Sequence, residues 1–261
     1  MLGRQEFAKE FGRNAVMGMV HLEPLPGAPL YGGSMGAVIE AALADAHALA
    51  EGGCDAMLIE NFGDRPFFKT AGPETVAAMT RAIGEVIREV TLPFGVNVLR
   101  NDPAAALAIA AATGARFIRV NVHSGAMLTD QGVIEGQAAE TLRRRSVLAT
   151  HALIFADVLV KHAVPLAPVD DVRAAKDLRE RGLADAVIIS GSETGGAADV
   201  SRFRRIAAAL DAPILIGSGV RVENAAEWSD ADGVIVGTSL KRGRRTDVHE
   251  VARVVQAVKR R

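Results

Sequence analysis

Short apolar runs and longer amphipathic stretches alternate along most of the chain. Runs rich in Val, Ile and Met predict eight strands, near residues 15–20, 55–60, 94–98, 116–121, 154–161, 185–190, 213–217 and 232–236. Apolar positions spaced three or four residues apart predict helices, near 34–51, 74–90, 103–112, 135–150, 170–181, 199–210, 221–228 and 247–260. Residues that favour a helix start stand where several of these helices begin, namely Ser34, Pro73, Asp102 and Asp170.

This order of elements predicts the fold class. Apolar strands that alternate with helices are typical of a parallel sheet covered by helices. Eight such units in 261 residues match the (β/α)8 TIM barrel, which takes about 250 residues. Because composition shows no break and no long linker, we predict a single α/β domain over residues 1–261.

The last two predicted strands each end in a loop of small residues, with the sequence GSG at 217–219 and GTS at 237–239. Glycines let backbone N–H groups approach an anion, and hydroxyls add donors. TIM barrels often bind phosphate with the loops after strands seven and eight. We therefore predict a phosphate site made by Ser218, Gly219, Gly237, Thr238 and, from the glycine-rich turn after strand six, Gly191.

Polar residues occupy the carboxyl ends of the other strands. In strand four, Ile118 and Val120 suit the helix-facing layer, so that Arg119 and Asn121 point inward. The same parity adds an inward-facing set at the end of the barrel where TIM-barrel active sites lie, consisting of His21, Glu60, Asn97, Asp157 and Lys161. Each buried polar group needs partners to offset several kcal/mol of desolvation, so this convergence predicts a site.

Within this set, Glu60, Lys161 and Asn97 are the catalytic candidates. Asp130 joins them because the segment 122–134 reads as a long irregular loop, with glycines near both ends, that closes over the mouth as a lid. The remaining pocket residues are His21, Asn121, Arg119, Asp157 and His162. Structural roles are the alternatives: a buried ion pair for Arg119 with Asp157, and loop anchoring for His21 and the two asparagines.

Composition narrows the class of partner. A hydrophobic fraction of 49%, a charged fraction of 23% and a net charge of −1 provide for a large core and argue against a nucleic-acid partner. The basic cluster 143–145 reads as solvated surface, whereas the cluster 241–245 is either surface or a source of positive charge beside the phosphate loop. A single Cys54 excludes an internal disulfide and suits a reducing compartment.

The sequence predicts neither a metal site nor a membrane-spanning segment. The six histidines lack a close pair spacing such as H-x-x-x-H, so we predict no metal and no cofactor, with a composite site from His21, Glu60 and His162 as the alternative. No run reaches the ~18 apolar residues of a membrane span, and the first residues lack a secretory pattern. We expect a cytoplasmic protein without integral membrane association; a homo-oligomer stays open.

Several stretches together resemble one known family. They read VHLEPLPGAP at 20–29, ENFGDRPF at 60–67, NVLRND at 97–102, FIRVN at 117–121, TDQG at 129–132, ADVLVKH at 156–162, GSGV at 217–220 and GTSLK at 237–241. Through them the chain resembles, from about residue 15 to 245, the BtpA family, which is named after a photosystem I biogenesis protein and includes SgcQ-type proteins. The resemblance implies a barrel of the ribulose-phosphate-binding type and supplies no reaction.

Two classes of function fit these observations. The first is an enzyme for a small phosphorylated metabolite, in which Glu60 moves a proton and Lys161 stabilises an oxyanion or forms a Schiff base. This is isomerase or lyase chemistry, with a glycosyl-phosphate or nucleoside-related transfer as the alternative. The second is a non-catalytic ligand-binding assembly factor, which the family's name motivates. The charged mouth favours the enzyme.

Overall fold

The computed structural model describes residues 1–191, 195–196 and 198–260. Its strands are β1 (Ala15–His21), β2 (Ala56–Glu60), β3 (Phe94–Asn97), β4 (Phe117–Val120), β5 (Ala126–Thr129), β6 (Gly132–Glu135), β7 (Leu153–Val158), β8 (Ala163–Pro165), β9 (Ala186–Ile189), β10 (Ile214–Ile216), β11 (Gly233–Val236), β12 (Lys241–Arg242) and β13 (Arg245–Thr246). Its α-helices are α1 (Arg4–Phe11), α2 (Met35–Glu51), α3 (Pro73–Glu89), α4 (Pro103–Thr113), α5 (Ala138–Val147), α6 (Asp171–Lys176), α7 (Val200–Ala209) and α8 (Val248–Lys259).

Eight of the strands close into a parallel barrel, which confirms the predicted TIM barrel. Around the ring the order is β1, β2, β3, β4, β7, β9, β10 and β11, and β11 pairs with β1. Three predicted helix starts are also confirmed, because the side chains of Ser34, Asp102 and Asp170 accept hydrogen bonds from the first turns of α2, α4 and α6. These caps satisfy N–H groups that a helix end otherwise leaves unpaired.

Alternate residues of the barrel strands contribute to two separate cores. Val96, Ile118 and Val120 pack in the layer between the strands and the helices. Met17 and Leu58 pack in the barrel interior. The parity predicted from the sequence is therefore confirmed for β1 to β4, and it turns the polar residues His21, Glu60, Asn97 and Arg119 inward at the mouth.

A helix that the sequence analysis missed closes the opposite end of the barrel. Phe7 and Phe11 of α1 are buried, and the Phe11 ring lies 5.7 Å from that of Phe117 and 5.9 Å from that of Phe155. Aromatic pairs at such distances add to the free energy gained by burial. The i, i+4 spacing of the two phenylalanines in a short amphipathic stretch was the available signal.

Five other predicted elements need correction. The segment 122–134 is not irregular: β5 and β6 form an antiparallel hairpin, and β8 adds a third strand to it. The predicted strand 154–161 ends at Val158, and the predicted helix 135–150 shortens to α5. The predicted helix 221–228 is a 3₁₀-helix over Val222–Trp228, and 170–181 divides into α6 and a π-helical turn over Asp177–Arg181. Among the described residues, no helix combines the length and the apolar character needed to cross a bilayer.

Candidate functional site

A cavity of about 730 Å³ opens at the carboxyl ends of the barrel strands. Its volume falls within the range of small-molecule sites in proteins, which is about 300–1,000 Å³. Most of the predicted site residues line it, namely His21, Glu60, Arg119, Asn121, Asp130, Lys161, His162, Ser218, Gly219, Gly237 and Thr238. Asn97, Asp157 and Gly191 do not line it and contact residues that do.

Four polar side chains form a row across adjacent strands, and three of them line the floor of this cavity. Strand register pairs His21 of β1 with Glu60 of β2, Glu60 with Asn97 of β3, and Asn97 with Arg119 of β4. Residues paired in this way point to the same side of the sheet. The row arises because each strand places its last inward-facing residue at the same level.

Glu60 is the best-positioned candidate base of the row. Its side chain is buried, and its Oε2 accepts a hydrogen bond of 2.5 Å from Asn97 Nδ2. Its Oε1 lies 3.7 Å from His21 Nε2. Asn97 therefore orients the carboxylate from behind, while the other oxygen stays on the cavity side next to the histidine.

His21 is held as a neutral ring. The Nζ atom of Lys241 lies 3.1 Å from His21 Nδ1, and because an ammonium group only donates, Nδ1 accepts and the ring proton resides on Nε2. Burial, reinforced by the charges of Lys241, Lys161 and Arg119, lowers the pKa of His21 to about 3. The ring also stacks on Phe62 at a centroid distance of 4.5 Å. His21 thus presents an N–H donor toward Glu60.

The predicted ion pair of Arg119 with Asp157 is present and buried. Arg119 Nη2 donates to Asp157 Oδ1 at 2.8 Å and its Nε donates to Oδ2 at 2.9 Å. The same carboxylate accepts hydrogen bonds from Asn121 Nδ2 at 3.0 Å and from the Ser190 hydroxyl at 3.0 Å. This leaves the Asn121 Oδ1 atom buried without a partner in the described structure, so that a ligand donor would satisfy it.

Lys161 reaches the cavity from beyond the end of β7. Its position depends on a turn with left-handed backbone at Leu159 and His162, so strand parity did not apply to it. Burial, with a further contribution from the Arg119 charge, lowers the pKa of Lys161, although the charges of Glu60 and Asp157 oppose this. A lysine of this kind donates to an oxyanion or acts as an amine nucleophile.

The two glycine loops lie next to each other at one side of the mouth. In the described part of the chain, no hydrogen bond to a backbone carbonyl is donated by the N–H groups of Ser218, Gly219, Thr238 or Ser239. The Ser218 hydroxyl is engaged elsewhere: it accepts from the Gly191 N–H at 2.7 Å and donates to the Gly196 carbonyl at 3.0 Å. Backbone amides, the exposed Thr238 hydroxyl and the Arg221 side chain are therefore the donors that this part of the cavity offers an anion.

Asp130 stands at the tip of the hairpin formed by β5 and β6. It is exposed and lines the cavity, and its Oδ2 accepts a hydrogen bond of 2.6 Å from Gln131 Nε2. His162 also lines the cavity. Residues 192–194 of the turn after the sixth barrel strand, two of which carry hydroxyls, lie outside the described residues.

Three further residues at the cavity were not predicted from the sequence. Arg65, Phe62 and Arg100 line the cavity, and all three stand in stretches already quoted for the family resemblance. Of the basic cluster 241–245, Arg242, Arg244 and Arg245 pair with Glu250 or Glu23, whereas Lys241 contacts His21. That cluster is therefore mostly surface, with one member at the site. Among the described residues, no three His, Cys, Asp or Glu side chains are grouped to hold a metal ion.

A family model described as the BtpA family matches residues 12–260. The chain belongs to the BtpA family. An uncharacterised protein of Archaeoglobus fulgidus is 48% identical over 94% of this chain and 98% of its own length. The photosystem I biogenesis protein BtpA of Synechocystis is 49% identical over 88% of this chain and 81% of its own length.

Comparison with solved structures supports the fold of this BtpA-family chain. Thiamine phosphate pyrophosphorylase from Pyrococcus furiosus superimposes with a TM-score of 0.59 at 14% identity, over 94% of this chain and 96% of that one. A tryptophan synthase structure from M. tuberculosis gives a TM-score of 0.59 at 19% identity, over 99% and 97% of the two chains. At such low identity the likeness shows a shared TIM-barrel fold.

Proposed function

We propose that this BtpA-family barrel is an enzyme that moves a proton on a small phosphorylated metabolite. The observation that carries the proposal is one cavity that combines a buried, oriented carboxylate with a set of backbone donors. Glu60 is the base, and the loops 217–219 and 237–239 hold the phosphate. The chemistry belongs to the isomerase or lyase class.

The phosphate would anchor the substrate away from the reacting atoms. The loops that follow β10 and β11 supply the amides of Ser218, Gly219, Thr238 and Ser239, and phosphate binding after the last two strands is common in TIM barrels. The solved structures of similar fold include one named for a phosphorylated compound, thiamine phosphate pyrophosphorylase. Binding energy from such a remote group orients the reacting end of a substrate against the catalytic residues.

The reacting end would meet Glu60, His21 and Lys161. The Glu60 carboxylate takes a proton from the carbon next to a carbonyl, and the electron pair of that C–H bond shifts onto the carbonyl oxygen. The Lys161 ammonium and the His21 Nε2–H stabilise the resulting enolate. With a hydroxyl on the deprotonated carbon, an isomer forms when the proton returns to the former carbonyl carbon and the hydroxyl gives up its own proton to become the new carbonyl. With a leaving group on the carbon β to the carbonyl, the enolate re-forms the carbonyl and expels that group, which gives a lyase product.

Lys161 also permits a covalent variant of the same reaction. As a free amine it would attack the carbonyl carbon, water would leave, and the resulting iminium would replace the carbonyl as electron acceptor. Borohydride reduction in the presence of a phosphorylated test compound distinguishes the covalent from the non-covalent route, since only the covalent route leaves a mass increment on Lys161.

The test follows proton exchange, which needs no knowledge of the product. The protein is incubated in D₂O with ribose 5-phosphate, ribulose 5-phosphate or fructose 6-phosphate, and NMR follows the loss of each C–H signal. We expect exchange with at least one probe, and a reduction of about 10²- to 10⁴-fold in Glu60→Gln. Glu60→Gln keeps the side-chain length and an acceptor for Asn97, so ligand affinity should change little.

The phosphate site is tested separately by binding. Thr238 is exposed at the cavity lip, so Thr238→Asp should weaken binding of phosphorylated probes about tenfold or more through charge repulsion. Thr91→Asp is the matched control, because Thr91 is exposed and precedes β3 at the other end of the barrel. Equal weakening by both variants, or by neither, would refute this phosphate site.

Binding without proton exchange is the outcome that favours the second class of function. The Synechocystis relative is named as a photosystem I biogenesis protein, and a ligand-binding assembly factor would retain the phosphate loops without turnover. In that case the wild type would show no proton exchange, and Glu60→Gln would leave the affinity for the probes unchanged.

A further inference from the structure

Among the described residues, the side chains that line the cavity carry more positive than negative charge. In this part of the chain two carboxylates, Glu60 and Asp130, line the cavity. The Arg and Lys side chains that line it are more numerous, namely Arg65, Arg100, Arg119, Lys161 and Arg221. Arg119 is neutralised from beneath by Asp157, so four cationic side chains face two carboxylates around the space where a ligand sits.

Arg100 is the most unusual member of this excess. Arg100 is only 6% exposed, and among the described residues no carboxylate oxygen lies within 4.0 Å of its guanidinium. One donor is used, since Nη2 donates to the Lys161 carbonyl at 2.8 Å. A guanidinium carries five N–H donors. Burial lowers the pKa of Arg100, and the charges of Asp157, Asp130 and Glu60 oppose this without forming an ion pair with it. Since Arg100 lines the cavity, an anion bound there would meet its remaining donors.

Arg65 lies on a neighbouring loop and faces the same cavity. Its guanidinium carbon is 4.9 Å from the centroid of the Phe62 ring, which holds the cation over an aromatic face. No described carboxylate lies within 4.0 Å of Arg65 either. Two cations without acidic partners thus stand on the loops that follow β2 and β3.

Arg100 and Arg65 stand on loops other than the two phosphate loops. In the closed ring, β3 lies four strands from β10 in either direction, so the loop that carries Arg100 begins across the mouth from the loop 217–219, whereas β2, which precedes Arg65, lies two strands from β11. A single phosphate held by the loops after β10 and β11 would leave Arg100 and Arg65 unmatched. The candidate base Glu60 is the last residue of β2, the strand next to β3.

We infer that the substrate carries a second anionic group, a carboxylate or a second phosphate, which Arg100 and Arg65 bind outside the loops that hold the first phosphate. This inference rests on the proposed function and extends it to a substrate class: a phosphorylated compound that is anionic at both ends. Arginine suits either group, because its planar fork matches both carboxylate and phosphate. The reacting carbon then lies beside the second anion and within the neighbourhood of Glu60.

The test compares probes that differ by one anionic group. Isothermal titration calorimetry is run with glucose 6-phosphate against 6-phosphogluconate, which adds a carboxylate, and with fructose 6-phosphate against fructose 1,6-bisphosphate, which adds a phosphate. We expect the two-anion member of at least one pair to bind the wild type tenfold or more tightly. The pair that shows the gain identifies the second group.

Variants assign that gain to the proposed residues. Arg100→Gln should remove most of it and leave the one-anion affinity within about threefold; Arg65→Gln, at an exposed residue, should remove part of it and serves if Arg100→Gln folds poorly. Arg13→Gln, at an exposed arginine between α1 and β1, is the control and should change nothing.

The outcomes separate the two hypotheses. If one-anion probes bind, Thr238→Asp weakens them, and the second anion adds less than threefold, the inference is wrong and the phosphate site stands. The inference is equally wrong if a gain persists undiminished in both arginine variants. If neither member of either pair binds the wild type, the proposed phosphate site fails, and the inference fails with it.

Discussion

Loss of the Asp157 charge should be one of the most damaging small changes in this protein. The side chains of Arg119 and Asp157 are 3% and 0% exposed. In the described structure the Asp157 carboxylate accepts four hydrogen bonds, from N–H groups of Arg119 and Asn121 and from the Ser190 hydroxyl. In Asp157→Asn, the new NH₂ group must face some of these donors, and the buried guanidinium loses its counter-charge.

The magnitude follows from that geometry. Breaking a buried ion pair on one side costs about 3–5 kcal/mol, because the remaining charge is uncompensated. We therefore expect Asp157→Asn to lower the free energy of unfolding by about this amount in urea denaturation followed by circular dichroism. Glu85→Gln is the control: it removes an exposed pair with Arg88, whose side chains are 40% and 74% exposed, and should cost at most about 1 kcal/mol.

A double variant tests the reason as well as the size. Arg119→Met combined with Asp157→Leu removes both charges and fills the space with apolar groups, so it should be more stable than Asp157→Asn alone. It should still lose ligand affinity, because Asn121 loses its anchor. A cost below about 1 kcal/mol for Asp157→Asn, or a double variant less stable than the single one, would refute this account of the cavity floor.

Three further predictions concern the loops and the histidine. Gly63→Ala should destabilise the protein by about 1–3 kcal/mol, because a Cβ there would lie 2.5 Å from the backbone nitrogen of Pro24; Gly84→Ala, with open space around it, should be neutral or stabilising in the same thermal melts. Folding lowers the pKa of His21 from 6.5 to about 3, so the free energy of unfolding should be highest above pH 6.5 and should fall as the pH falls toward 3. Wild type should therefore lose more stability over this window than His21→Gln. Parallel curves of stability against pH for the two proteins would contradict the burial of a neutral ring. Amide hydrogen exchange of residues 126–135 should slow when a phosphorylated probe binds, and unchanged amide exchange rates would mean that the hairpin does not move. Asp130→Ala should reduce the exchange of substrate protons more than it reduces the affinity for the probe.

Much of this protein could be predicted from local periodicity. An eightfold alternation of apolar runs and amphipathic helices dictates the barrel, and period-two parity along each strand decides which side chains face inward. Parallel strands bring their carboxyl ends to one rim, so Glu60, Asn97 and Arg119 had to converge there. These features follow from backbone geometry that each segment possesses by itself.

Contacts between distant segments were decided only by the tertiary structure. The Ser218 hydroxyl, expected at a phosphate, instead forms hydrogen bonds with the Gly191 N–H and the Gly196 carbonyl, because the loop after β9 lies next to it. The hairpin of β5 and β6 gained regular structure from β8, which lies more than 25 residues further along the chain. Lys161 and Arg100 entered the cavity through turns beyond the strand ends, where side-chain direction depends on packing against other loops rather than on sequence period.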